Sequence, residues 1–294
     1  MNVLLLGCLL GGLLPLSATE AVSSERTITI FVSIMPQAFF IEQIAGTRGS
    51  VQVLVKPGQS PHVFEPTPQH IVLLRKAELY FTVGLPFEKK LIEKIHTVAP
   101  QLLWIDTSAG IPLRRYDGCE EHAPGDDGNA DPHIWLSPML IKKQAETIAD
   151  ALCRYDPVGC LIYRDNFERF HAKLDALDAQ IREKLSPFKG QEVFVFHPAF
   201  GYFTDAYGLR QVAIESEGKE PGARSLAQIV ARARNKRIQV IFADRQFSTK
   251  SADAVARQIG ADVIVLDPLA KDCFENLRSI ADLFAAALSK SNTQ

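Results

Sequence analysis

The chain of 294 residues exceeds what one ordinary core needs and fits two domains or one large one. An apolar fraction of 47% against a charged fraction of 22% excludes a disordered chain. A formal net charge of -2, with Lys and Arg scattered and no aromatic-basic stripe, excludes a nucleic-acid partner.

Val3 to Leu16 is almost entirely apolar and is followed by the small, polar stretch SATEAVSSE. This is the profile of a signal peptide, too short for a comfortable membrane span, and it is expected over residues 1–21 with cleavage after Ala18 or Ala21. The run lacks the usual basic residues before it, and Cys8 in LLGC imitates a lipoprotein box. The mature protein is therefore expected outside the cytoplasm, in the periplasm or an equivalent compartment, where disulfides persist. Cys119, Cys153, Cys160 and Cys273 would remain, and four cysteines allow three full pairings. Cys153 and Cys160 flank the turn RYDPVG and could join two helix ends.

TITIFVSI (Thr27 to Ile34) is a β-branched run, and Pro36 then opens the helical AFFIEQIAG, stopped by Gly46. VQVLV (Val51 to Val55) is a second strand leading into KPGQSPHVFEPTPQ, after which Pro68 stands near the start of a helix. AELYFTVG, PFEKKLIEKIHTV and QLLWID repeat strand, helix, strand, an alternation that favours a sheet with helices on both faces. Arg114 to Ala130 breaks the rhythm with Gly, Pro, acidic residues and His122, and reads as a surface loop. A helix capped near Ser137, with Pro138 at its first position, follows.

Phe167, Phe170, Leu174, Leu177 and Ile181 then recur at spacings of three and four, the stripe of one long amphipathic helix of roughly 28 residues, about 40 Å. Such a helix can run the length of two lobes. Beyond SPFKGQ the alternation restarts, from EVFVFH through IQVIFADR and DVIVLD to a last helix, DCFENLRSIADLFAAAL. The expected fold is α/β. Two βα lobes, 26–156 and 190–294, each hold a mainly parallel sheet flanked by helices and are joined by a rigid linking helix over 157–187. No repeat of 20 to 50 residues relates the halves.

His62, His133, His197 and Asp267 share a setting: each closes or closely follows a short β-type run or sits in a Pro-marked loop, the region where open α/β sheets bind ligands. A single histidine is more readily a hydrogen-bonded surface or core ring, so the set carries the argument. Pro61, Pro132 and Pro198 each stiffen the backbone beside an imidazole, which helps four side chains meet one ion at about 2.0 to 2.2 Å. Two of the four precede the linking helix and two follow it, which puts the site in the cleft between lobes. Three imidazoles and a carboxylate suit Zn²⁺; Mn²⁺ prefers more oxygen and ranks lower. Since ligating imidazoles must be deprotonated, binding is expected to weaken below about pH 6.5. His70, His96 and His171 lie in helical segments and are assigned to structure.

PHVFEPTP, DPHIWLSP, LIYRDNFERF, VFHPAFGYF, IFADRQFS and VIVLDPLA occur in an order that resembles the zinc-and-manganese group of periplasmic solute-binding proteins serving ABC importers, its zinc branch most closely. The resemblance runs from about Thr27 to the C-terminus. It implies metal ligands at His62, His133, His197 and Asp267, with histidine at the third place supporting zinc. It also implies capture of Zn²⁺ and delivery to an ABC permease, no enzymatic turnover, and modest closure of the lobes. A monomer is expected. The chain departs from the family in its short acidic loop before His133, where zinc binders often carry many histidines. The fourth ligand also varies within the family, which leaves Glu65 or water as substitutes for Asp267. Two further readings use the same residues: a zinc hydrolase, with Glu65 and Asp244 as candidate bases but no H-E-x-x-H, and a manganese-binding or adhesin-type member of the same group.

Overall fold

A computed structural model describes residues 26–116, 130–215, 222–247 and 249–292. The expected signal peptide, Cys8, Cys119 and His122 lie outside the described residues, as does most of the acidic loop.

The first sheet is built from β1 (Ile28–Val32), β2 (Gly49–Val53), β3 (Leu79–Thr82) and β4 (Leu103–Asp106), in the order β2-β1-β3-β4 with every pairing parallel. Helices α1 (Met35–Ala45), α2 (Pro68–Leu74) and α3 (Pro86–His96) connect its strands. Ile28, Ile30, Phe31 and Val32 are all buried, because helices cover both faces of a parallel sheet and the strand needs apolar side chains on each. β2 stands at the edge and alternates half-buried with exposed residues; it starts and ends two residues earlier than the apolar run VQVLV suggests. Leu54 and Val55 still bond to the backbone of Val32 and Ser33, so the run carries the pairing onward after the strand ends. Gly46 ends α1 at a φ of 56°, a conformation that costs a residue with a Cβ far more.

The second sheet repeats the plan with β5 (Glu192–Val195), β6 (Arg210–Ala213), β7 (Val240–Asp244) and β8 (Asp262–Leu266), again parallel, in the order β6-β5-β7-β8. Its connections are α6 (Gly201–Ala206), α7 (Ala223–Asn235) and α8 (Lys250–Ile259). Val193 and Val195 of β5 join the large core, whereas Phe194 and Phe196 face a smaller one beneath α7 and α8. That split is the strand period of two expressed in packing.

Between the sheets lie α4 (Pro138–Tyr155) and α5 (Cys160–Leu185), and α9 (Cys273–Asn292) closes the chain. Ser137 takes the cap position of α4 with Pro138 at the first helical place, but its hydroxyl makes no capping bond. The 26-residue α5 buries Phe170, Leu174, Leu177 and Ile181 as the stripe requires, with Tyr163 and Leu185 added; Phe167 is partly buried. Phe39 of α1, Phe170 of α5 and Phe274 of α9 meet as an aromatic triangle with centroid separations of 6.3, 5.7 and 5.6 Å. The large core is consequently continuous from the first sheet through α5 to α9 and the second sheet. A disulfide joins Cys153 to Cys160 across the α4–α5 corner, and Cys273 is a buried free thiol. No helix among the described residues is long and apolar enough to cross a membrane.

Candidate metal centre

Both sheets reverse their strand order beside the first strand, the place at which open α/β sheets characteristically bind ligands. His62 arrives on the loop after β2, His133 on the segment entering α4, and His197 two residues beyond β5. Their ligand atoms all lie within 4.8 Å of one another. Nε2 of His62 and Nε2 of His197 are 3.1 Å apart, close to the roughly 3.3 Å between two tetrahedral zinc ligands at about 2.0 to 2.1 Å from the ion.

The remaining ring nitrogens are held. His133 Nδ1 bonds to Asp131 Oδ1 at 2.7 Å, and the same oxygen accepts the His133 backbone N–H at 3.0 Å. His197 Nδ1 bonds to Glu215, a residue two places past β6. A carboxylate at Nδ1 fixes the tautomer with its proton there, leaves the Nε2 lone pair toward the cleft and raises its basicity. Asp131 is fully buried and has Arg114 at 3.6 Å, which moderates its charge. Arg114 passes so close to Gly201 that a Cβ there would stand 1.4 Å from Nη1, so any side chain at the start of α6 would displace the guanidinium from its place beside Asp131.

Burial first, then the neighbouring imidazoles, pushes His62 down to about 2. Burial also lowers His197, although Glu215 opposes the shift. His62 therefore stays neutral well below the pH of about 6.5 at which a free imidazole charges, and His197 is shifted in the same direction, so for these two the expected onset of proton competition moves downward. Trp135, Phe247, Pro268 and Leu269 line the same pocket and give it apolar walls. Trp135 packs on His133 at 5.1 Å and donates its indole N–H to Pro268 O at 2.8 Å, which ties the two halves of the cleft directly over the site.

Asp267 lies just past β8 but outside the three-histidine group. Its Oδ1 accepts from Gln246 Nε2 at 2.6 Å and from the Leu269 backbone at 3.0 Å, while Oδ2 faces Arg245 at 3.8 Å. Glu65 is exposed and also outside the group. His70 caps its own helix by accepting the Thr67 N–H at Nδ1, His96 ends α3, and His171 pairs with Asp175 on the surface of α5.

The family described as zinc-uptake complex component A, periplasmic, matches residues 30–287. The chain belongs to this family. It is 33% identical over 265 residues to the high-affinity zinc uptake system protein ZnuA of Bacillus subtilis, spanning 85% of this chain and 81% of that protein. It is 29% identical to the zinc-binding lipoprotein AdcA of Streptococcus pneumoniae over 84% of this chain and 51% of that longer protein. A crystal structure of ZnuA superposes with a TM-score of 0.84 at 41% identity, covering 89% of this chain and 99% of that one. The periplasmic zinc-binding protein TroA of Treponema pallidum, at 22% identity and a TM-score of 0.79, shares the fold over 89% of this chain and 99% of its own.

Within this family frame, Asp131 and Glu215 are the residues that histidine-centred reading of the sequence passes over. A signal for each exists: Asp131 stands two residues before His133 in DPH, and Glu215 stands as far past its strand as His197 does past β5.

Proposed function

We propose that this protein captures Zn²⁺ outside the cytoplasm and delivers it to the membrane permease of an ABC importer, with no bond made or broken. The observation that carries the reading is the three-histidine group itself, with its ligand atoms within 4.8 Å of one another, Nδ1 atoms of two rings held by carboxylates, and apolar side chains around them. Such a site fits a borderline ion that prefers nitrogen. Membership of the zinc-uptake family supports the transport role, and a crystal structure of a ZnuA deletion mutant with zinc bound, 41% identical, supports the choice of metal.

In this reading His62, His133 and His197 are ligands and Asp267 becomes the fourth by releasing Gln246. Residues 26–156 and 190–294 act as the two lobes and 157–187 as their link, in a monomer exported by the segment at its N-terminus. Neutral, desolvated imidazoles give an ion entering the cleft a ready coordination shell, and opening of the shell at the permease returns it.

Metal analysis of the natively purified protein, repeated on His62→Ala, tests the reading. One zinc per chain in the parent and loss of most of it in His62→Ala is the expected result. Equal zinc content in the two proteins would remove His62 and with it the three-histidine site.

A further inference from the structure

Asp244 ends β7 fully enclosed, about 1% exposed, and neither of its carboxylate oxygens has a hydrogen-bond partner among the described residues. Gln246 Oε1, two residues on, is likewise without one. Both residues line the pocket that holds His62, His133 and His197. Three unpartnered oxygens therefore collect on one short segment beside three convergent imidazoles. Buried polar atoms are nearly always satisfied, so a group of them left open at a pocket needs a physical reason, and a bound ion supplies one.

Sheet register explains how Asp244 gets there. Val195 pairs with Ala213 of β6 on one side and with Phe242 of β7 on the other. Two residues further along, the same steps set Glu215 and Asp244 on either side of His197. Glu215 is committed to His197 Nδ1, Asp131 to His133 Nδ1, and Asp267 Oδ1 to Gln246 and Leu269. Of these four carboxylates, Asp244 is the one with both oxygens uncommitted. A divalent ion among neutral imidazoles brings two positive charges into an apolar pocket, and buried charge is tolerated when an opposite charge is at hand.

We propose that Asp244 is a second carboxylate of the metal centre, turning from its present position to give an oxygen to the ion held by His62, His133 and His197. In the structure its oxygens lie outside the 4.8 Å group, so the side chain swings toward the imidazoles on loading. Zinc accepts four or five ligands, and Asp244 therefore shares the shell with Asp267 instead of replacing it. The proposal rests on the zinc reading above and extends it from the histidines to the end of β7.

The test uses the full chain as parent, Asp244→Asn and Asp267→Asn, with zinc affinity read by competition against a chromophoric chelator, the visible spectrum of the Co²⁺ form, and melting of the metal-free proteins. Asp244→Asn is expected to bind zinc at least tenfold more weakly and to change the Co²⁺ spectrum, while the metal-free variant melts no lower than the parent, because the amide keeps the shape of the side chain. Parent-like affinity with a parent-like Co²⁺ spectrum would overturn the proposal and leave the three-histidine site intact. A lowered melting point in the metal-free variant with unchanged affinity would also overturn it, assigning Asp244 to packing. A parent that binds no zinc would bring down the zinc reading itself, an outcome distinguishable from both.

Discussion

At the scale of the residue, the proposed centre is organised from behind its three histidines. Asp131 and Glu215 do not point into the cleft; they hold Nδ1 of His133 and His197 so that each Nε2 presents a lone pair without further rotation. Partners of this kind are worth about 10- to 100-fold in metal affinity. Glu215→Gln keeps an oxygen that can accept the Nδ1–H but removes the charge that makes the imidazole more basic. It is expected to weaken zinc binding by about tenfold, and Glu215→Ala, which also frees the ring to turn, by about a hundredfold. Chelator competition at constant pH ranks the variants, and equal losses in both would show that orientation contributes nothing beyond charge. The same measurement on Asp131→Asn reads chiefly the loss of charge, since the amide oxygen can still accept the backbone N–H that fixes the turn before His133.

At the scale of the element, the corner between α4 and α5 shows what sequence reading reaches and what it leaves. Asp156 accepts from Arg48 Nη2 at 2.7 Å and Nε at 2.9 Å and from the Tyr163 hydroxyl at 2.6 Å, all of them buried. Burial alone would raise the Asp156 pKa, but Tyr163 and then Arg48 more than offset it, and the carboxyl is held below its ordinary value. The sign follows: the pair's contribution is present above the unfolded-state pKa of about 3.9 and is lost as pH falls through the lower folded value. Arg48→Met strands a buried carboxylate and is expected to cost about 3–5 kcal/mol at pH 7, with the difference from the parent shrinking below about pH 4 as Asp156 takes up a proton. Urea unfolding at pH 7 and pH 3 measures both, and an undiminished difference at pH 3 would trace the loss to packing. The turn RYDPVG and its flanking cysteines were legible because turn residues and short spacings are local signals, and so were the long helix and the three histidines beside their prolines. Arg48 was not, since it lies 108 residues from Asp156 and nothing local marks it as a partner. Gly159 reads as an ordinary turn glycine, yet a Cβ there would stand 2.5 Å from Asp156 Oδ2 and 2.6 Å from Arg48 Nε, a constraint only tertiary packing creates. Asp267 marks the same limit at the site, because its position after β8 was readable while its hydrogen bond to Gln246 was not.

At the scale of the whole molecule, the question is how two lobes release an ion they enclose. A long flexible hinge would need few contacts across the lobes, and this molecule has many. The aromatic triangle of Phe39, Phe170 and Phe274 sits where α1, α5 and α9 meet, Lys271 pairs with Glu42 at 2.7 Å, and the Tyr202 hydroxyl accepts the Arg114 N–H at 2.7 Å and donates to Asp131 O at 2.8 Å. Packed cores resist continuous deformation, so motion on loading is expected in the segments that carry the site, the His62 loop and the ends of β7 and β8, and not between the lobes as wholes. Small-angle scattering with and without zinc is accordingly expected to give the same radius of gyration, about 18–19 Å for a compact chain of this length. Phe170→Ala removes one corner of the triangle, costs about 3–5 kcal/mol, and should loosen the lobes enough for the metal-free form to expand measurably and contract again on loading. A parent that contracts on binding as much as this variant does would mean that the helix joins the lobes without restraining them, and that capture proceeds by wide closure.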